Sequence, residues 1–272
     1  MLINIVFSIF KMSLKNQYSH RTSHFLEILS IIISMFVYFY ISKAFSSSVE
    51  GELSAYGGDY FSYVVFGEIF LMLPLHFLDS PYRKIRSSIV EGTFETYLSL
   101  PISTNRLVLL LSSWNLVQVL KRILLTLLIA CIFFGLRIPF SSLVQLILLQ
   151  IVSSFAFLGL GLCVSCSILF FGRGGSLLGY LNTIISISAG SFFPISVLPS
   201  WLSNSSRILS PFTLLLENTR SIIIAPLEFK QFIIVFSILL GWGIFFFLGR
   251  VLLDRGIEFY RRSGKLSIIS HY

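Results

Sequence analysis

Charged residues are scarce in this chain of 272 residues, since Asp, Glu, Lys and Arg together make up only 12% of it. Soluble globular domains carry about 25% charged residues. Hydrophobic residues make up 55%, and several apolar runs are long enough to form helices across a bilayer core of about 30 Å. The composition excludes an ordinary soluble domain and predicts an all-α polytopic membrane protein.

Motifs for a metal site, a nucleotide site or hydrolytic catalysis are also missing. Cys163 and Cys166 form one C-x-x-C pair, without the second pair that a zinc site needs. The chain has no G-x-x-x-x-G-K-[ST] loop to hold nucleotide phosphates, no H-E-x-x-H and no G-x-S-x-G. We therefore expect free thiols, no metal site, no catalytic residues and no cofactor bound by this chain.

Six apolar segments are typical of spanning helices within a single membrane domain. We predict spans one to six at residues 25–45, 60–78, 106–135, 143–171, 175–193 and 232–253. Residues 1–24 mix basic and apolar side chains, which predicts an amphipathic interface helix. Proline-broken pieces before span six predict short extracellular helices, and residues 254–272 predict a basic cytoplasmic tail.

Lys and Arg outside the spans are concentrated in alternate connections, and the net charge is +8. Because cytoplasmic connections carry the excess of Lys and Arg, this distribution predicts that both termini are cytoplasmic. The positive charge indicates contact with anionic membrane lipid rather than nucleic acid. We expect a multi-pass protein of the plasma (inner) membrane.

Residues 81–104, here named the elbow, form the polar interval between spans two and three. Gly92 is predicted to end one short helix, and Thr93 to cap a second that carries Glu95 in its first turn. Pro101 is expected to stop this second helix. Apolar residues recur at helical spacing, which favours an amphipathic element at a membrane surface. An ordinary solvated loop is the alternative.

Four blocks of sequence together resemble the membrane subunit of ABC transporters of the type-2 exporter class, the ABC-2 permeases. They are GDYFSYVVFGEIF at span two, EGTFETYLSLPIS in the elbow, FFPISVLPSWL with SPFTLLLENTR before span six, and YRRSGKLS near the end. Phe94 stands where relatives more often have Leu. In relatives the elbow block forms a coupling helix that touches the ATPase. The resemblance therefore implies ATPase-coupling roles for Glu91, Gly92, Thr93, Phe94, Glu95, Leu98 and Pro101.

The same resemblance implies an ATP-driven exporter in which two permease chains form the translocation path. Each chain would dock one separate ATPase subunit, which would bind ATP and Mg, so the permease itself would not be an enzyme. The expected cargo is amphipathic or lipid-linked. The alternative is a secondary transporter that is not driven by ATP, which would need repeated halves or interrupted helices around a midplane site.

Polar side chains form a stripe along span three, and Glu68 lies near the middle of span two. Lipid offers polar groups no partners, so such residues need a bundle interior or a wet path. The candidate path residues are Glu68, Ser112, Asn115, Gln118, Lys121 and Arg122. Glu68 is expected either to contact substrate or to form a structural ion pair with Arg122 or Lys121.

Small residues form a stripe along span five. Its members are Gly175, Gly179, Thr183, Ser186 and Gly190. The first two glycines have the G-x-x-x-G spacing that lets two helix backbones approach closely in lipid. The stripe predicts close packing, either inside one bundle or at the seam of a homodimer.

Overall fold

The computed structural model describes residues 21–53, 60–99, 107, 112–113, 115–136, 139–172 and 174–262. Most of the predicted interface helix, Pro101, and the end of the predicted tail after Arg262 lie outside these residues. The described part of the chain is helical with short turns and contains no strand. The all-α class is therefore confirmed.

Ten α-helices are described, and we number them in chain order. They are α1 Arg21–Leu53, α2 Tyr60–Val90, α3 Phe94–Ser99, α4 Leu116–Phe134, α5 Leu143–Phe171, α6 Gly175–Ser188, α7 Ser200–Leu209, α8 Pro211–Ile224, α9 Phe229–Trp242 and α10 Ile244–Arg262. Short 3₁₀ turns at Phe140–Ser142 and Ile195–Val197 precede α5 and α7.

Five segments among the described residues are long and apolar enough to cross a membrane. They are His24–Ala44, Tyr60–Val90, Leu116–Phe134, Phe140–Phe171 and Phe229–Arg262. Apolar side chains on their outer surfaces remain exposed, as expected for helices that face lipid. The chain is a multi-pass membrane protein.

Helix α5 forms the centre of the bundle and packs most extensively against α2 and α10. Gly159 and Gly161 make this packing close: a Cβ atom at Gly159 would collide with the α10 backbone at Phe246, and one at Gly161 with the α2 backbone at Leu78. Small residues serve this purpose where helices associate in lipid. Within the described residues, close backbone packing between spanning helices therefore depends on α5 rather than on the predicted stripe of span five.

Three helices continue beyond the predicted spans into intervals predicted to be connections. Helix α1 runs on to Leu53, and α10 runs on to Arg262. Helix α2 continues through Pro81 to Val90, so the first part of the elbow is the end of a spanning helix. Pro81, Tyr82 and Ile85 are buried there. Burial against neighbouring helices offsets the proline's missing backbone donor.

Span three is interrupted where one continuous helix was predicted. Helix α4 starts at Leu116, after Asn115, whose φ of 60° lies in the left-handed region. Asn adopts this conformation more readily than other residues with a side chain, because its short polar group can bond locally. The helix ends at Gly135, with a φ of 68°, where the sequence predicted its end.

The region of span five differs most from its prediction. Helix α6 has 14 residues and ends at Ser188. A helix of that length extends about 21 Å, which is shorter than a bilayer core of about 30 Å. A turn at Gly190, with a φ of 66°, follows. The six-span layout is therefore not confirmed, although five candidate spans are present among the described residues.

The interval before the last span contains α7 and α8. Ser210 caps α8, because its Oγ accepts a hydrogen bond from the Thr213 amide at 3.3 Å, and Pro211 occupies the first turn. Leu215, Leu216 and Ile222 of α8 are fully buried. This helix therefore lies inside the bundle, which corrects the prediction of a position on the membrane face.

The predicted span six is divided between α9 and α10. They meet at Gly243, where a Cβ atom would lie 2.7 Å from the Leu240 carbonyl oxygen and 2.9 Å from the Phe155 ring. The two helices together form the candidate span Phe229–Arg262. The close approach of Phe155 explains why a glycine stands at this junction.

Candidate functional site

The turn between α2 and α3 is formed by the residues that predicted it. Gly92 has a φ of 67° and ends α2, since glycine adopts the left-handed region without steric cost. Glu95 lies in the first turn of α3. The Thr93 hydroxyl donates to the Ser88 carbonyl oxygen at 3.3 Å, and its amide donates to the same oxygen at 2.9 Å. Thr93 therefore secures α3 to the end of α2.

Helix α3 is seated on the carboxyl end of α10. The Phe94 ring is only 2% exposed and packs edge-on against the Tyr260 ring, with 5.4 Å between their centroids. Arg261 Nη2 donates to the Leu98 carbonyl oxygen at 2.7 Å. Phe94 is therefore an anchor within the chain, and its buried ring is not available to insert into a partner, although the resemblance implied an ATPase-coupling role for it.

A buried cation supports α3 from the α2 side. Lys84 is 4% exposed, and its ammonium lies 5.5 Å from the centroid of the Tyr97 ring. Such a contact with a ring face is attractive for a cation, particularly away from water. Together with Tyr260 and Arg261, Lys84 fixes the orientation of α3 on two spanning helices.

The opposite edge of α3 is exposed. Glu91, Gly92, Glu95 and Thr96 are exposed, and a Cβ atom at Gly92 would meet nothing within 4 Å. Leu98 is half-buried. The arrangement presents the Glu95 carboxylate on α3 and the Glu91 carboxylate in the turn before it, beside a helix whose other face is fixed. A docking element for a basic partner surface requires such exposed carboxylates.

The polar stripe of span three is distributed over several environments. Asn115 and Gln118 are exposed, whereas Ser112 is buried. The Lys121 ammonium donates to the Glu27 carboxylate of α1 at 2.5 Å and lies 3.0 Å from His24 Nδ1. Lys121 therefore pairs with Glu27, and the prediction that it pairs with Glu68 is wrong.

Glu68 and Arg122 line one cavity, with a volume of about 280 Å³. Its wall is formed by Tyr38 of α1, Val64, Glu68, Leu71, Met72 and Leu75 of α2, Arg122 of α4, Ser186 of α6, and Ser191 and Phe192 beyond it. The Tyr38 hydroxyl faces the Glu68 carboxylate, and the charge of Arg122 acts on the same carboxylate. The structure thus brings together two of the predicted path residues and adds Tyr38, Ser186 and Ser191.

Arg220 does not line this cavity but contacts Ser191, which does, and no pattern in the sequence predicted this role. Its side chain is 3% exposed, and its guanidinium donates to the carbonyl oxygens of Gly190 at 3.0 Å, Tyr63 at 3.1 Å and Ser191 at 3.2 Å. The guanidinium carbon lies 3.5 Å from the centroid of the Tyr63 ring. Arg220 therefore holds the turn after α6 against α2 and positions Ser191 at the cavity.

Two of the five small residues of span five face outward. Gly179 and Thr183 are exposed, and a Cβ atom at Gly179 would meet nothing within 4 Å. Gly190 lies in the turn after α6, so its assignment to the same helical stripe is wrong. Gly175 approaches Arg86 and Tyr82. The Gly179 surface therefore makes no close helix contact within the described part of the chain.

No group of three or more His, Cys, Asp and Glu side chains that could hold a metal ion occurs among the described residues. The three cysteines are free thiols, of which Cys131 is exposed.

In the comparisons with known proteins, no protein-family model matches the chain and no curated protein is significantly similar to it. The functional argument therefore depends on the chain's own geometry.

Proposed function

We propose that this chain is the permease subunit of an ATP-driven exporter of the ABC-2 class, coupled to a separate ATPase subunit. The observation that carries the proposal is the seating of α3. Its Phe94 ring packs on Tyr260 of α10, while Glu91 and Glu95 are exposed on the other side. A short helix fixed to two spanning helices can transmit a displacement at its exposed edge to both of them.

The proposal also covers assembly and orientation. Two permease chains form the path, with the exposed Gly179 surface of α6 as the candidate seam, since a residue without a side chain allows close approach in lipid. Both termini lie in the cytoplasm of a cell bounded by the plasma (inner) membrane. This orientation requires a sixth crossing, which α6 and the segment up to Phe193 provide together.

The translocation path is assigned to the interior polar surface of α2 and α4. Glu68 and Arg122 line a cavity whose other lining residues are largely apolar, a combination that suits an amphipathic or lipid-linked cargo. ATP and Mg bind the partner ATPase, whose hydrolysis supplies the energy. A path of this kind needs no catalytic residue on the permease.

Charge reversal on the exposed edge of α3 tests the coupling. Glu91→Lys combined with Glu95→Lys should abolish co-purification of an ATPase with the tagged permease, because basic partner residues would meet like charge. Glu228→Lys is the matched control, since Glu228 is also exposed but immediately precedes α9, far along the chain.

Two results would contradict the proposal. One is an ATPase that stays bound to the Glu91→Lys, Glu95→Lys variant as firmly as to the control. The other is transport that continues without ATP and follows a proton gradient, which would favour the secondary transporter.

A further inference from the structure

The cavity between α1, α2, α4 and α6 carries opposite charges on different helices. Glu68 belongs to α2 and Arg122 to α4, and no direct ion pair joins them within the described residues. Glu68 Oε2 is buried and lacks a hydrogen-bond partner in the part of the chain that the structure describes, as does Ser191 Oγ. The cavity therefore contains acceptor and donor groups that a ligand can use.

Unpaired charges within a membrane are energetically unfavourable. A bound group that carries both a positive and a negative charge would pair with Glu68 and Arg122 at the same time. A carboxylate beside a tyrosine hydroxyl suits an ammonium group, because both oxygens can accept its hydrogen bonds. A guanidinium suits a phosphate, which it binds through two parallel hydrogen bonds. The cavity thus offers Glu68 and Tyr38 to an ammonium group and Arg122 to a phosphate. Together these residues match a phosphate-ammonium zwitterion.

The size of the cavity indicates how much of a ligand it holds. Its volume of about 280 Å³ is below the range of about 300–1,000 Å³ typical of sites that enclose a whole small molecule. Leu71, Met72 and Leu75 give it an apolar wall along α2. A polar head fits the charged part, and an acyl chain can follow the apolar wall toward lipid.

We propose that this cavity binds the zwitterionic phosphate-ammonium head of an amphiphile, with the ammonium at Glu68 and Tyr38 and the phosphate at Arg122. The inference names the substrate class of the proposed permease and rests on that function only for the transport step. Binding itself is a property of this chain and is measured without an ATPase, so the two proposals can fail separately.

Competition among three amphiphiles of equal chain length tests the proposal on the purified full chain in a non-ionic detergent. The probes are palmitoyl lysophosphatidylethanolamine, palmitoyl lysophosphatidylglycerol and hexadecylammonium, and native mass spectrometry counts the bound molecules. The unaltered chain should retain the zwitterion at least tenfold more than either singly charged probe. Equal retention of all three, or preference for a singly charged probe, would overturn the proposal.

Substitutions of Glu68 and Arg122 should change the preference among the three probes in opposite ways. Glu68→Gln should bind the anionic probe as well as the zwitterion, and Arg122→Gln should bind the cationic probe as well as the zwitterion. Glu27→Gln and Lys121→Gln are matched controls, because this pair lies on the same helices as Tyr38 and Arg122 but outside the cavity lining. A preference unchanged in both cavity variants would contradict the assignment.

A second measurement keeps both cavity charges, in case the charge variants do not fold. Ser186→Cys lines the cavity, whereas Thr183→Cys is exposed on the outside of α6. With the three native cysteines replaced by alanine, lysophosphatidylethanolamine should slow maleimide labelling of Cys at 186 at least fivefold and leave position 183 unaffected. Equal protection of both positions, or of neither, would overturn the proposal.

The source of the head group is decided by a separate comparison. Diacyl phosphatidylethanolamine in a nanodisc should protect position 186 if the occupant is a bilayer lipid. Protection by the lysolipid alone would identify a single-chain amphiphile. Either result agrees with the head-group assignment, and protection by neither contradicts it.

Discussion

Gly67 lies where the Arg220 side chain crosses α2. A Cβ atom there would lie 2.5 Å from Arg220 Nη2 and 2.9 Å from the Ser191 carbonyl oxygen. The guanidinium is held by three carbonyl oxygens and cannot move aside without losing hydrogen bonds. Gly67 therefore makes room for the guanidinium that holds the turn after α6 against α2.

Gly67→Ala should lower the free energy of unfolding by about 1–3 kcal/mol, the usual effect of added volume in a packed site. The check is the thermal unfolding midpoint in detergent. Gly179→Ala is the control, because its Cβ atom would meet nothing within 4 Å. An equal midpoint for the two variants would show that Arg220 does not constrain Gly67.

Asn115 holds the only left-handed backbone conformation among the described residues other than glycine, with a φ of 60°. Asn115→Ala should destabilise the protein by about 1 kcal/mol, because alanine keeps a Cβ atom in the left-handed region but lacks the short polar group that makes this region more accessible to Asn. Asn115→Gly should remain within about 0.5 kcal/mol of the original. The thermal unfolding midpoints of the alanine and glycine variants are compared. An alanine variant as stable as the glycine variant would contradict the left-handed conformation at Asn115.

At the level of helices, the contact of α3 with α10 is the feature that a mutant cycle measures best. Phe94 and Tyr260 pack edge to face, so Phe94→Ala and Tyr260→Ala should be non-additive. The expected coupling is about 0.5–1.5 kcal/mol, the usual range for an aromatic pair. The cycle is read from thermal unfolding of the four proteins.

The Phe36 and Tyr40 pair on α1 serves as the control for that cycle. Its rings also stack, at 6.4 Å, but both are exposed. We expect a smaller coupling there than between Phe94 and Tyr260. Strictly additive effects at Phe94 and Tyr260 would mean that α3 is not fixed to α10, and the proposed transmission would lose its basis.

The helices also show what the sequence could predict. Residues 143–171 were predicted as one span and form α5 with the same bounds, because a continuous apolar run ends at Gly172, whose φ is 71°. The continuity of α2 beyond residue 78 was missed because residues 81–104 were predicted as a polar connection, whereas the helix continues through Pro81 with Tyr82 and Ile85 buried. Propensity at one residue is a local signal, and tertiary packing overrides it.

The candidate site was predictable only in part, for a related reason. The pattern of the elbow identified Gly92 and Glu95 correctly, but amphipathicity alone does not say whether Phe94 faces a partner or its own chain. Glu68 was expected to contact substrate or to form an ion pair with Arg122 or Lys121; it shares a cavity with Arg122, without a direct ion pair between them among the described residues. Arg220 could not be assigned, because its contacts with Tyr63 and Gly67 cross more than a hundred residues.

At the scale of the whole molecule, the proposed docking and transport functions lie in two separate regions. The seated α3 lies at one end of α2, and the charged cavity lies farther along the same helix, lined by Val64, Glu68 and Leu75. Helix α2 therefore connects the proposed docking surface to the proposed path. Movement of α3 would reach Glu68 through one continuous helix, buried along much of its length.

The central claim is that the exposed edge of α3 touches an ATPase, and site-specific photo-cross-linking tests it most directly. A benzoylphenylalanine placed at Glu95 in the native membrane should form an adduct with a polypeptide that hydrolyses ATP, identified by mass spectrometry. The same group placed at Glu228, which is also exposed but immediately precedes α9, should form none. An adduct with the ATPase at neither position, or at Glu228 alone, would contradict the account.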